Sequence, residues 1–269
     1  MRVRFWGVRG SVPWATSSSI GYGCNTPCVE IRNERTGAVL VLDAGSGIVG
    51  LSEALGPKPR AVPILLSHYH WDHVQGLPFF WRFYESGWTA TIWAPILEHV
   101  DVAWLDAIFQ RPFFPVSIDA LPSRPGMAVV PPGEIVIGGF RIHTQPLTHP
   151  GGAIAYRVQG DAGDVVYATD HEFGGDRTAD ERLAEFCADA AAVILDAHYT
   201  PEELRSHRGR GHGSWKQCAE FAAATGARQL WLFHHKPGRT DAELAAIEGQ
   251  ARELFPATKA AAEGDSFEV

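Results

Sequence analysis

The segment SHYHWDHVQG, Ser67 to Gly76, follows the apolar run AVPILL and places three histidines and one aspartate within six residues. From an extended backbone, His68 and His70 point the same way, while Asp72 and His73 lie beyond them and turn toward a second position. Neutral imidazole and carboxylate groups suit a borderline divalent metal such as zinc. The segment therefore predicts a metal site at the end of a strand.

Short apolar runs bounded by Gly, Pro and Asp recur along the chain and predict strands of about five to six residues. They are RVRFW, AVLVLDAG, AVPILLSH, TATIWAP, GEIVIGG, FRIHTQPL, DVVYATD, AAVILDAH and RQLWLFHH. Capping boxes predict helices that begin at Thr200, Ser214 and Thr240, and the second of these helices should stop at Gly226. Interleaved strands and helices without a linker favour one α/β domain over residues 1–269.

Several predicted strands end in a histidine or an aspartate, namely Asp43, His68, Asp170, Asp196 and His234. Such a series is typical of a site built at one edge of a sheet. Two metal ions sharing a site need roughly eight protein contacts, more than one short segment supplies. His149, Asp170 and His234 are the candidates that complete the set.

Composition excludes several classes of protein. With 269 residues, 45% of them hydrophobic, the chain has ample material for a large core. Its apolar runs fall short of the roughly 20 residues of a membrane span, and its four cysteines are too few for a disulfide framework. A formal net charge of −8 has the wrong sign for tracking a nucleic-acid backbone. We expect a soluble, cytoplasmic protein with neither a membrane nor a nucleic-acid polymer as partner.

The motifs resemble those of the metallo-β-lactamase superfamily, whose signature is His-x-His-x-Asp-His, and are most similar to its ribonuclease Z and cyclic-nucleotide phosphodiesterase branch. The resemblance covers most of the chain and includes FWGVRGSVP with GYGCNTPCVEI, LDAGSG, and DAHYTPEEL followed by GHGS. It implies an α/β fold, an αββα sandwich with a dinuclear metal site at one edge of the sheets.

The resemblance also implies a ligand set. It assigns one divalent ion to His68, His70 and His149, the other to Asp72, His73 and His234, and a bridging position to Asp170. His234 is preferred to His235 because Leu-x-Leu-x-His matches the family's pattern. Zinc fits best, with manganese and iron as alternatives.

The implied activity is hydrolysis of a small, cyclic phosphodiester by a hydroxide held between the two metals. Asp72 would orient the hydroxide, and His212 would protonate the leaving group. Only Pro150 to Thr169 separates His149 from Asp170, which leaves no room for the arm with which ribonucleases Z grip transfer RNA. The alternatives are a carboxyl-ester or thioester hydrolase of lactonase or glyoxalase II type and a non-catalytic metal-binding accessory protein.

The sequence leaves more than one interpretation open for several residues. Asp43 either orders the metal-site loop or caps a turn, and Asp196 either fixes a histidine tautomer or is structural. Arg111 is a phosphate clamp or a peripheral charge. The aromatic segment 77–116 forms core, a surface for base stacking, or an interface. We expect a homodimer because of this aromatic surplus.

Overall fold

The computed structural model describes residues 1–57, 60–98 and 100–269. In these residues the apolar runs form strands that assemble into two stacked sheets. The strands are β1 (Arg2–Gly7), β2 (Cys28–Arg32), β3 (Val39–Leu42), β4 (Ala61–Leu65), β5 (Thr89–Ala94), β6 (Gly126–Val129), β7 (Glu134–Ile137), β8 (Phe140–Leu147), β9 (Ala153–Val158), β10 (Val165–Ala168), β11 (Ala192–Asp196), β12 (Leu230–Phe233), β13 (Thr258–Ala260) and β14 (Ser266–Glu268).

Each sheet contains seven strands and has an antiparallel and a parallel half. The first follows the order β14-β1-β2-β3-β4-β5-β6, and the second the order β13-β12-β11-β10-β9-β8-β7. Strands β3 to β6 are parallel in the first sheet, and β10 to β13 are parallel in the second. Because parallel strands end at the same edge of a sheet, the polar residues that follow them are brought together.

The α-helices of the described residues are α1 (Ile48–Ala54), α2 (Trp71–Val74), α3 (Arg177–Cys187), α4 (Pro201–His207), α5 (Trp215–Ala224) and α6 (Asp241–Leu254). Helix α1 covers the outer face of the first sheet, and α3, α5 and α6 cover that of the second. Leu51 of α1 packs into the core outside the first sheet, and Leu183 of α3 and Ile247 of α6 pack into the core outside the second. The predicted αββα sandwich is confirmed. Within the ranges that the structure describes, no helix has the length and apolar character needed to cross a membrane.

The central core lies between the sheets, where alternate residues of each strand point inward. Val3 and Phe5 of β1 are fully buried there. The Phe5 ring meets Trp231 and Phe233 of the other sheet at centroid distances of 5.0 and 5.9 Å. Aromatic side chains of this kind each bury a large apolar area.

The nine predicted apolar runs all form strands, and the three capping boxes begin α4, α5 and α6. Helix α5 has Thr225 as its C-terminal cap and is followed by Gly226 at φ +70°, so its predicted end is confirmed. Five strands were not predicted: β2, β6, β9, β13 and β14. Strands β13 and β14 have only three residues each, and Arg157 interrupts the apolar run of β9.

A buried arginine ties the chain after β1 to distant loops. The Arg9 side chain is fully buried. It donates hydrogen bonds to the carbonyl oxygens of Ser19, Gly23 and Arg239, at 2.8, 2.8 and 2.7 Å. Arg9 also pairs with His235 in a short parallel bridge. The segment that follows β1 is thereby fixed beside the end of β12, where His234 lies.

Replacing Arg9→Met should lower the free energy of unfolding by about 3 kcal/mol or more, because three carbonyl groups lose their donor. Urea denaturation followed by circular dichroism measures the loss. Arg177→Met is the control, since the Arg177 side chain is 92% exposed and its removal should cost at most about 0.5 kcal/mol. Equal losses in the two variants would contradict this account of Arg9.

Candidate metal centre

Most of the predicted site residues lie where the parallel strands end, and three of these have an unusual backbone conformation. Asp43 after β3, Asp170 after β10 and His234 after β12 have φ of +59°, +58° and +58°. A left-handed conformation costs an L-residue roughly 1–2 kcal/mol. Such residues persist where the surrounding contacts hold them in place, and they cluster at functional sites.

Three histidines form a group that we call the first triad: His68, His70 and His149. One ring nitrogen of each lies within 4.8 Å of the others, and Nε2 of His149 is 2.9 Å from Nδ1 of His70. His149 donates from Nδ1 to the carbonyl oxygen of Gly211 (2.8 Å), which leaves a lone pair on Nε2. Nε2 of His68 is buried and has no partner in the described part of the chain.

Asp72, His73 and His234 form the second triad. Nε2 of His234 lies 3.1 Å from Oδ2 of Asp72 and 3.3 Å from Nε2 of His73. His73 donates from Nδ1 to Asp43 (2.8 Å), so Nε2 is the ring nitrogen that faces the second triad. Nε2 of His234 thus lies at hydrogen-bond distance from both a carboxylate oxygen and a second ring nitrogen.

Asp170 lies between the triads. Its Oδ2 is 3.2 Å from Nε2 of His73 and 3.4 Å from Nε2 of His234, whereas its Oδ1 is 3.8 Å from Nε2 of His149. Each carboxylate oxygen therefore faces a different triad. The structure brings together all seven residues of the ligand set that the resemblance implies.

The protonation of these groups suits cation binding. Burial lowers the pKa of His68 well below its usual range and also lowers the pKa of His70 and His149. These rings are neutral and offer lone pairs. Burial would also lower the pKa of His73, but the neighbouring carboxylates, Asp72 foremost, raise it well above its usual range. The carboxylates around the second triad therefore favour a positive charge at the position of the His73 ring.

Divalent metal ions fit this set of donors. Nε2 of His68 is buried without a partner in the described residues, and the Nε2 atoms of His73 and His234 face each other at 3.3 Å beside the carboxylates of Asp72 and Asp170. Buried polar atoms of this kind need a partner. A divalent ion bound by imidazole and carboxylate satisfies them together.

A buried carboxylate, Asp43, orders both triads. Its oxygens accept hydrogen bonds from the Ser67 amide (2.7 Å), the Ser67 hydroxyl (2.8 Å), Nδ1 of His73 (2.8 Å) and the Tyr167 hydroxyl (2.7 Å). Because the Ser67 hydroxyl donates to Asp43, its oxygen accepts from Nδ1 of His68. Asp43 thus sets the tautomers of two histidines, while Tyr167 anchors it to the second sheet.

His212 lies beside the bridging aspartate. Its Nδ1 donates to Oδ2 of Asp196 (2.7 Å) and lies 3.5 Å from Oδ1 of Asp170. Its ring stacks on His198 and His234, with centroids 4.4 and 5.1 Å away. Burial would lower the pKa of His212, but the adjacent Asp196 carboxylate raises it to about 9. Asp196 therefore orients this ring and favours its protonated form.

Sequence reasoning missed Glu172, which holds the loop before His212. The Glu172 carboxylate is buried and accepts hydrogen bonds from the amides of Gly209 (2.7 Å) and Gly211 (2.8 Å). The carbonyl of Gly211 in turn accepts from His149. The Glu172 carboxylate therefore positions a loop with two roles. This loop carries His212, and its Gly211 carbonyl contacts a histidine of the first triad. The only signal in the sequence is the glycine spacing in RGRGH.

The loop after β1 was also given no role beyond its resemblance to the family. The Ser11 amide donates to Oδ2 of Asp72 (2.6 Å), and Ser11 has φ +61°. A Cβ added to Gly10 would lie 2.5 Å from the His234 ring, so glycine is required there. This close approach lets the loop orient the second triad.

Of the other candidates, His198 lies beside His234, whereas in the described ranges His235, His171 and Arg111 do not contact the triads through their side chains. His235 donates to the carbonyl oxygen of Ala261 (2.9 Å), which directs it away from the second triad. His171 contacts Asp180, and His198 donates to the backbone of His234. Arg111 is exposed, and in the described part of the chain no hydrogen bond or ion pair joins it to the triads. The residues of segment 77–116 divide between the core outside the first sheet, with Phe80, Phe83, Trp88 and Phe109, and the surface, with Phe79, Trp81, Trp104 and Phe113.

Comparison with known proteins agrees with this geometry. Residues 39–235 match the family described as the beta-lactamase superfamily domain. The chain belongs to this superfamily. The predicted resemblance and the predicted class, a metallo-hydrolase, are confirmed.

Relatives of this β-lactamase superfamily member match it over nearly its whole length. The chain is 27% identical to an uncharacterized protein of Mycobacterium leprae, over 100% of this chain and 89% of that one. It is 24% identical to a ribonuclease Z of Lacticaseibacillus casei, over 96% of this chain and 92% of that one. A solved structure described as a new diphosphatase from the PhnP family superposes with a TM-score of 0.73 at 18% identity, over 100% of this chain and 98% of that one.

Replacing Glu172→Gln should loosen the loop before His212, because an amide side chain can accept from one of the two glycine amides but not from both. Losing one such bond to a buried charge costs about 1–3 kcal/mol, so amide exchange at Gly209 and Gly211 should accelerate roughly tenfold or more. Hydrogen exchange read by mass spectrometry measures the change.

Glu181→Gln on the exposed face of α3 is the control and should leave exchange in this loop unchanged. If the loop in Glu172→Gln exchanges at the wild-type rate, Glu172 does not hold it.

Proposed function

We propose that the protein hydrolyses a small phosphodiester at the metal centre. The observation that carries the proposal is the position of His212, which is hydrogen-bonded to Asp196 at 2.7 Å and lies 3.5 Å from Asp170 between the triads. Hydrolysis of a phosphodiester needs a proton for the departing oxygen. An imidazole fixed beside the metal ligands supplies it.

The ions that the triads would hold, proposed to be two zinc ions, lower the pKa of water and stabilise negative charge on phosphoryl oxygens. The first triad and the second triad would each hold one, with a different oxygen of Asp170 facing each triad. Imidazole-rich donor sets favour zinc over magnesium or calcium.

His212 has one nitrogen available for the substrate. Its Nδ1–H is committed to Asp196, so Nε2 is the atom that exchanges a proton with the reacting group. In the protonated ring Nε2 donates to the leaving oxygen, and the Asp196 carboxylate stabilises the charge that the ring carries. Asp72, fixed by the Ser11 amide at 2.6 Å, orients the attacking oxygen from the opposite triad.

A small substrate, such as a cyclic phosphodiester, is favoured over an RNA. The segment between His149 and Asp170 is used by β9 and β10 and their short connections, so the chain there is committed to the sheet. The formal net charge of −8 opposes a polyanion. The similar proteins include a ribonuclease Z and a diphosphatase, which supports chemistry on phosphate esters.

Turnover of a substrate panel tests the reaction class. Protein loaded with zinc or manganese should cleave bis(p-nitrophenyl) phosphate and at least one cyclic nucleotide, and chelation should abolish this activity because the triads hold the ions. The panel also contains a lactone and a glutathione thioester. Cleavage of either ester without phosphodiester turnover would contradict the proposal and identify a carboxyl-ester or thioester hydrolase.

Replacing His212→Ala should lower kcat for phosphodiester cleavage by about 10²- to 10⁴-fold, the usual contribution of a general acid. Metal content, measured by mass spectrometry, should stay at the wild-type value because His212 is not among the proposed ligands. His207→Ala is the control, since His207 bonds to the carbonyl oxygen of Glu203 instead of facing the triads. Unchanged turnover in His212→Ala would remove this residue from the mechanism.

A further inference from the structure

An apolar pocket of about 310 Å³ is formed by segments that adjoin the first triad in the chain. Its walls come from three places: Pro95–Leu97 after β5, Val129–Pro132 after β6, and the ends of β8 and β9 around Leu147 and Gly152–Ile154. These segments belong to both sheets, so the pocket lies in the mouth between them. Its volume lies at the lower end of the usual range for small-molecule sites, about 300–1,000 Å³.

The walls of the pocket are joined to the first triad. Tyr69, which lies between His68 and His70, donates its hydroxyl hydrogen to the carbonyl oxygen of Pro95 (2.6 Å). On the other side, Leu147 and Gly152 flank His149 in the chain, and both line the pocket. The walls of the pocket are therefore fixed to the same segments that carry the ligands of the first triad.

The lining determines which chemical group fits. No charged side chain lines the pocket in the described residues, and its polar side chain, Thr144, is already bonded to the Gly133 amide (2.9 Å). Gly152 has φ +83°, and a Cβ there would lie 3.2 Å from Leu97 and narrow the space. The pocket therefore offers mainly apolar contact, and no side chain in its described lining can pair with a charged group.

We propose that this pocket binds an uncharged apolar substituent of the substrate, an aryl or branched alkyl group on the phosphodiester. The proposal rests on the function proposed above and names the class of substrate. The phosphoryl group lies at the triads, and the retained apolar group extends past His149 into the pocket. A nucleobase, which needs partners for its polar edge, is disfavoured there.

Two substrates with the same leaving group test the pocket: phenyl 4-nitrophenyl phosphate and methyl 4-nitrophenyl phosphate. Wild-type enzyme should favour the phenyl compound in kcat/KM by about tenfold or more, since a buried ring gains apolar contact that a methyl group lacks. Ile96→Asn should reduce this preference at least about threefold. Ile96 lines the pocket and is 64% exposed, so the fold should tolerate the change.

Val136→Asn is the matched control, since Val136 is 61% exposed on β7 and lies outside the pocket lining. It should keep the wild-type preference. Phosphodiester turnover with a phenyl-to-methyl preference that Ile96→Asn leaves unchanged would overturn the pocket proposal and leave the proposed function standing.

Binding of 2-naphthol, measured by calorimetry, separates the two hypotheses because it needs no turnover. Wild-type protein should bind it, Val136→Asn should bind it equally, and Leu97→Trp, which fills the pocket, should bind it at least about fivefold more weakly. This pattern without phosphodiester turnover would support the pocket and contradict the function. Equal binding by all three proteins, or none by wild type, would overturn the pocket.

Discussion

Buried lone pairs that face one another need a shared cation, and this requirement governs the site. Hydrogen bonds to neighbouring groups engage Nδ1 of His68, His73 and His149, so Nε2 of each ring points inward. Asp170 adds a carboxylate between them. Histidines without such partners would rotate, whereas this arrangement keeps their Nε2 atoms convergent.

The two sheets meet these requirements because each supplies part of the site. The first sheet supplies the clustered motif and Asp43, the second supplies His149, Asp170 and His234, and Tyr167 joins them through its hydrogen bond to Asp43. Arg9 and the loop after β1 close the site at the end of β12. The strands that form the central core therefore also carry the site residues at their ends, so the packing of the two sheets sets the geometry of the site.

The parts of the site that could be predicted from the sequence are those marked by a local pattern of residue types. His68, His70, Asp72 and His73 are adjacent in sequence, and Asp170 and His234 end apolar runs, so both patterns are visible without a structure. His149 was a candidate ligand from the sequence alone, whereas its grouping with His68 and His70 and the role of His212 needed the family resemblance. The contacts of Glu172 and Ser11 could not be predicted, because each joins a side chain to backbone amides across loops whose path depends on the folded sheets. The short strands β13 and β14 could not be predicted for a similar reason, since they form only by pairing with neighbouring strands.

A crystal structure of the metal-loaded protein, with anomalous scattering recorded at the zinc edge, tests the central claim most directly. The account predicts two anomalous peaks about 3.5–4 Å apart, one at the nitrogens of the first triad and one at the donors of the second, with Asp170 reaching both. A single peak, or a peak among Asp196, His198 and His212 in place of either triad, would contradict it.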